Sequence, residues 1–176
     1  QATDTDQFSI CDVVWTGEIE NVIDDLLQKL PASSDRVDLQ SFYSVYDLYK
    51  DDYKRFARQI KERIGKDPAA IWETNRGCPY KCTFCDWGSL TNSKIRRYSY
   101  DTVLKVIEAL SEIGVSLLFN ADANFRIFKE DLDYAKHLVK MKIETGKPRS
   151  IFFSSAKNKK DITSEAAKLF YEHGMI

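Results

Sequence analysis

The stretch DTVLKVIEALSEIGVSLLFNADANF, residues 101–125, holds the pattern on which the fold turns. Val103, Leu104, Ile107 and Leu110 recur at the spacing of one buried helical face, while Lys105, Glu108 and Glu112 fall elsewhere, so the spacing predicts a helix over 101–113. Gly114 follows, and then the apolar run Leu117-Leu118-Phe119 inside a predicted strand over 115–121. A run with so little alternation is what a parallel strand covered on both faces carries.

The same alternation extends in both directions. Upstream, residues 69–74 (AAIWET) read as a strand that opens into a long cysteine-bearing loop. Downstream come a predicted helix over 130–145, a strand over 150–154 containing Ile151-Phe152-Phe153, and a helix over 164–173. Three βα units in series make an α/β chain, and residues 69–176 read as the first three units of a partial (β/α) TIM-type barrel. Three parallel strands do not close a barrel. A fourth strand is expected to begin at Gly174-Met175-Ile176, where the chain ends, so the sheet edge is expected to be bare.

Before Pro68 the pattern changes. Residues 32–68 combine a polar stretch, a Tyr-rich segment (Phe42, Tyr43, Tyr46, Tyr49) and a charged helix over 51–64 that stops at Gly65, and read as a linker with its own helix. Residues 1–31 read as a strand over 9–16, a turn at Gly17 and a helix over 18–30 whose apolar stripe is Val22, Ile23, Leu26, Leu27 and Leu30, closed by Pro31. A lone strand and helix is the last unit of a preceding α/β, Rossmann-like domain, so both ends of the chain are expected to be cut. No repeat of fixed period and no low-complexity tract interrupts this order.

Composition narrows the function classes. With 176 residues, 43% of them hydrophobic, the chain has material for about one domain core. Lys and Arg number 26 against 27 Asp and Glu, a net charge of -1 that provides no broad field for nucleic acid or anionic lipid. No apolar stretch approaches the roughly 20 residues of a bilayer span, and QATDTDQFSI lacks the regions of a signal peptide, so a soluble, cytoplasmic protein is expected. The basic run at Lys157 to Lys160 reads as a solvated loop. Of 4 cysteines, Cys11 sits in an apolar stretch and reads as a small buried hydrophobe, while the others crowd together.

Those others are Cys78, Cys82 and Cys85 in WETNRGCPYKCTFCDWGS, residues 72–89, a C-x3-C-x2-C array directly after a strand. In a reducing compartment such crowding points to a metal site more than to disulfides. Cys thiolates are the ligands of iron-sulfur clusters, and a full set for a 4Fe-4S cluster is about four; three leave one iron open to substrate. An open position separates a catalytic from a structural metal site. The alternative is a structural zinc, with His137 or His173 as fourth ligand, though both lie in predicted helices far along the chain. Glu73 and Arg76 flank the strand end and read as a salt bridge that fixes the loop, ahead of a substrate contact. Gly77 and Pro79 shape the turn into Cys78, and Trp87 either shields the site or packs at its rim.

With aromatic Phe84 just before the third cysteine, this array resembles the signature of radical S-adenosylmethionine (SAM) enzymes. The resemblance implies a 4Fe-4S cluster on Cys78, Cys82 and Cys85, SAM chelated by the open iron, and reductive cleavage of SAM to a 5'-deoxyadenosyl radical. It implies an electron donor such as flavodoxin or ferredoxin and a small-molecule substrate that the sequence does not identify. Phe84 is expected to present backbone polar groups to the adenine while its ring packs locally. At the end of the second strand, where the family often carries a glycine-rich GGE stretch, this chain has Ala121-Asp122-Ala123. Asp122 and Asn124 are the candidates there, Asp122 facing the SAM amino group or else ordering the loop through local backbone bonds. At the end of the third strand Ser154 and Ser155, with Lys157 and Asn158 beyond, are placed to reach the ribose or carboxylate of SAM.

CDVVWTGEIENVIDDLLQKLP, residues 11–31, together with the cysteine loop and Asp122-Ala123-Asn124-Phe125, resembles the branch with an N-terminal cobalamin-binding domain. The cobalamin-ligating pattern D-x-H-x-x-G is absent, so cobalamin is implied for a full-length parent and not for these residues. Beside the radical SAM reading stand two others: a catalytically inert remnant that binds partners through a bare edge strand, and a structural zinc protein.

Overall fold

The structure, a computed structural model, describes residues 44–80, 82–85, 95–156 and 158–176. The unit read over 1–31, with Cys11, the residues of the linker before Ser44, Trp87 and Lys157 lie outside the described residues.

A parallel three-stranded sheet carries the fold, built from β1 (Ala69–Trp72), β4 (Leu117–Asn120) and β5 (Ser150–Phe152) in that spatial order. Ala69 stands opposite Leu117 and Trp72 opposite Asn120, and Leu117 in turn faces Ser150. Between β1 and β4 come two short strands, β2 (Asn75–Arg76) and β3 (Arg96–Arg97), paired antiparallel with each other. The helices are α1 (Val45–Leu48), α2 (Lys50–Ile64), α3 (Tyr100–Ile113), α4 (Glu130–Thr145) and α5 (Lys160–Glu172). The α/β alternation expected after Pro68 is thus present, with each sheet strand two or three residues shorter than its apolar pattern suggests. Polar side chains at the strand ends, such as Thr74 and Asp122, bond to one another instead of continuing the ladder.

Local chemistry fixes the helix ends. The Ser99 hydroxyl accepts the Thr102 N–H at 3.1 Å to open α3, and Gly114 closes it at φ 88, where its N–H reaches the Leu110 and Ser111 carbonyls. Replacing Ser99 by alanine is expected to cost about 1 kcal/mol, seen as a lower urea midpoint at unchanged slope.

Within α3 the residues at helical spacing, Val103, Ile107 and Leu110, are buried as their pattern requires. They meet Trp72, Leu118 and Ile151 of the sheet, Tyr134 and Leu138 of α4, and Ala166 and Phe170 of α5 in one core. α3 packs on α4 and α4 on α5, so the three helices form a layer over one face of the sheet. Among the described residues no helix covers the other face, where the apolar runs led one to expect strands covered on both sides. Ile71 is 61% exposed and Phe152 56%, and Phe119 stacks on Phe152 with ring centroids 5.0 Å apart. Successive side chains of a strand point to opposite faces, and among the described residues helices cover only the face bearing Trp72, Leu118 and Ile151.

The sheet edges are not as bare as expected. On the β5 side the Ile151 N–H donates to the carbonyl of Met175, a residue with 1% exposure, at 3.0 Å. At β1 the Tyr46 hydroxyl donates to the Ile71 carbonyl at 2.6 Å. α2 rests against α3: Ala57 joins the core, and Lys50 and Lys54 approach Glu112 at 3.1 and 3.3 Å, which holds that carboxyl below its usual range. At the N-terminal end of the sheet Asp67 accepts Lys61 at 2.9 Å and Lys147, and these cations hold its carboxyl well below the usual range. No helix among the described residues is long and apolar enough to cross a membrane.

Candidate functional site

Two short strands determine where the cysteines stand. Asn75 pairs with Arg97 and Arg76 with Arg96, so the entry and exit of the cysteine loop are pinched together just beyond the C-terminal end of β1. The pinch is braced on both sides. Arg76 forks onto Glu73 with two bonds of 2.8 Å and donates to the Tyr98 hydroxyl at 3.0 Å, which is the loop-fixing role that the sequence favoured for this pair. On the exit strand the Arg97 guanidinium lies 4.0 Å from the Phe128 ring centre and 3.5 Å from Glu130, tying the loop to the start of α4.

Gly77 turns the chain into the loop at φ 106, a conformation that costs a side chain but not glycine. Cys78 is buried, Cys82 and Cys85 are half-buried, and all three are free thiols. The Cys85 N–H donates to the Cys82 carbonyl at 3.1 Å across a turn formed by Thr83 and Phe84. Phe84 projects from that turn with 88% exposure, so its ring does not pack locally as expected. Among the described residues no three of His, Cys, Asp and Glu are gathered as a metal site. The donor chemistry itself fits an iron-sulfur cluster: three unoxidised thiols from a single loop, at the strand end where α/β folds place their sites. Neither histidine stands ready as a fourth ligand, since His137 Nε2 lies 3.1 Å from Glu108 and His173 Nδ1 lies 2.8 Å from the Leu169 carbonyl.

Asp122, at the end of β4, is 3% exposed and its carboxylate is fully engaged. Oδ1 accepts the backbone N–H groups of Thr74 at 2.7 Å and Asn75 at 3.2 Å. Oδ2 accepts the Thr74 hydroxyl at 2.5 Å and the Asn75 amide at 3.0 Å. Burial pushes the carboxyl up to about 7, outweighing the Thr74 and Asn75 bonds that favour the charged form. Of the two readings open for this residue, these contacts are those of loop ordering.

Asn124, with 0% exposure, does the corresponding work toward β5. Its Oδ1 accepts the Ala156 N–H and its Nδ2 donates to Asn158 Oδ1, both at 2.8 Å. Asn158 then donates to the Phe125 carbonyl at 2.7 Å and to the Ser155 hydroxyl at 2.9 Å. Ser154 and Ser155 are exposed at this edge, the Ser154 carbonyl accepting the Phe125 N–H at 2.9 Å. Asp122 and Asn124 thus tie three strand ends together, while Ser154, Ser155 and Phe84 are the candidates that face solvent.

Three contributors escape the sequence patterns. Thr74 and Asn75, with 3% and 1% exposure, are as buried as any core residue although they sit beside a loop of polar residues. Arg126 takes φ 73, is buried, stacks its guanidinium 4.3 Å from the Phe153 ring centre and donates to the Thr163 carbonyl at 3.1 Å. The sequence signal for the first two was their position between a strand end and Gly77; Arg126 has none.

No family model matches the chain. The chain does resemble a class of known enzymes, the cobalamin-dependent radical SAM methyltransferases. Over 107 residues, 61% of its length, it is 42% identical to the 2-(S-pantetheinyl)-carbapenam-3-carboxylate methyltransferase of Streptantibioticus cattleyicolor. Over an equal length it is 40% identical to the cobalamin-dependent radical SAM methyltransferase TokK of Streptomyces tokunonensis. The chain spans 16% of the length of each of these curated relatives. The solved structure of the radical S-adenosylmethionine methyltransferase TsrM from Kitasatospora setae, with tryptophan substrate and a SAM analog bound, aligns over 68% of this chain and 30% of that one, at 11% identity and a TM-score of 0.45.

Proposed function

We propose that this chain carries the cluster loop of a radical SAM enzyme, with Cys78, Cys82 and Cys85 as the ligands of a 4Fe-4S cluster. The observation that carries the reading is a loop of three free thiols clamped at entry and exit by the β2–β3 pair at the end of β1. The resemblance to TokK and the carbapenam methyltransferase supports it independently of the geometry. When bound, the cluster supplies the electron that splits SAM into methionine and a 5'-deoxyadenosyl radical.

The chain's own residues hold and shield. Glu73, Arg76 and Arg97 fix the two loop ends, and buried Cys78 anchors its inner wall. Phe84, between Cys82 and Cys85, is the residue whose backbone polar groups are offered to the adenine, and Ser154 and Ser155, exposed at the β5 end, are the hydroxyls offered to the ribose or carboxylate. Sequential strand order, helices on one face and a bare apolar face support a partial (β/α) barrel whose interior is lined by Ile71, Leu117, Phe119 and Phe152.

For the whole protein the proposal is methyl transfer to a small molecule, with cobalamin held mainly by a domain of which residues 1–31 are the end, and reduction by a flavodoxin- or ferredoxin-type donor. Anaerobic reconstitution with iron and sulfide tests the reading. A brown protein whose electron paramagnetic resonance (EPR) signal changes on adding SAM is expected; a colourless protein that retains one zinc would refute it.

A further inference from the structure

We propose that Asp122 is the positioning residue of the cysteine loop and makes no contact with SAM. The proposal rests on the cluster reading above and assigns the acidic side chain at the β4 end a different task from binding the SAM amino group. Its two oxygens accept from the peptide N–H groups of consecutive residues, Thr74 and Asn75, and from both of their side chains. Arg76 and Gly77 follow at once, then Cys78, so the point held is three residues from the first thiol. A carboxylate with 3% exposure and donors on both oxygens offers no free face to an ammonium.

The network also shows what substitution it tolerates. Asn75 Oδ1 is buried with no partner among the described residues, while its Nδ2 donates to Asp122 Oδ2 and to Thr74 Oγ1 at 3.0 Å each. An asparagine at 122 keeps the Oδ1 acceptor for the two peptide N–H groups. Its amide then donates to Thr74 Oγ1, or to Asn75 Oδ1 once that amide turns over. Alanine keeps none of this and leaves buried donors unpaired.

Alkylation of the cluster-free protein reads the position of Cys78 directly. Trypsin cuts after Arg76 and Lys81, so the peptide of residues 77–81 reports Cys78 alone. Under N-ethylmaleimide, Asp122→Ala is expected to raise the Cys78 rate about tenfold or more, because losing four buried hydrogen bonds opens the segment locally. Asp122→Asn is expected to stay within about twofold of wild type, the span of a retained network. A Cys78 rate in Asp122→Ala within twofold of wild type would overturn the proposal. If that variant does not fold, the double variant Thr74→Val, Asn75→Ala removes the side-chain partners and is read the same way. In reconstituted protein Asp122→Asn is expected to keep the SAM-dependent EPR change; losing that change with cluster content intact would make Asp122 a SAM ligand and end the proposal. Should wild type take up no cluster, the reading under Proposed function fails while the alkylation result still stands.

Discussion

Alanine in place of Cys78 is expected to abolish cluster incorporation, with iron and sulfide falling from about four each per chain to below about one. Three thiolates are the smallest set that holds a cubane with one open iron, and two of them in a solvent-facing loop do not retain it. Cys82→Ala and Cys85→Ala are expected to behave alike, since the three thiols belong to one loop and none is held in a disulfide. Serine at 78 does not rescue, because a hydroxyl at neutral pH is not a thiolate. The histidines provide the contrast. His137→Gln and His173→Gln should leave the brown colour unchanged, since His137 is engaged with Glu108 and His173 with the Leu169 carbonyl. Loss of bound metal in a histidine variant as well as in Cys78→Ala would favour zinc over the cluster.

The cysteine array was legible because metal ligation by thiolates needs a set of residues close in sequence, and Cys78, Cys82 and Cys85 are such a set. The α/β alternation was legible for a related reason: Val103, Ile107 and Leu110 encode their own period. What stayed hidden depends on long-range partners. The β2–β3 clamp pairs residues about twenty apart with only two residues in each strand, too few to show alternation. Asp122 reaches Thr74 across 48 positions, and no local pattern marks a carboxylate as turned inward. The apolar strands misled in one respect. Leu117-Leu118-Phe119 reads as covered on both faces, yet Leu117 and Phe119 stand exposed, because apolar character records what a strand is suited to pack against and not which face is packed in these residues.

Stability of the cluster-free protein should fall as pH rises from about 4 to about 7, and Asp122→Asn should remove most of that fall. The sign follows from proton binding. Burial raises the Asp122 carboxyl from its ordinary 3.8 to about 7 in the fold, so between those values the folded chain holds a proton that the unfolded chain has lost. Stability is therefore greatest below the unfolded value and declines until the folded carboxyl ionises. Three pH units of displacement amount to at most about 4 kcal/mol. Burial dominates this value, and the opposing bonds come from Thr74 and Asn75. Asp67 and Glu112 act in the opposite sense, being held low by lysines, so their support is present above the unfolded carboxylate range and lost toward acid. They are common to both proteins and cancel when the variant is subtracted from wild type. Urea midpoints of the pair at unit steps from pH 4 to pH 8 are expected to cross, with Asp122→Asn equal or slightly weaker in acid and more stable by a few kcal/mol at the alkaline end. Parallel profiles would mean that the four donors of Thr74 and Asn75 keep the carboxylate charged throughout, and that the loop is held by an anion and not by a proton.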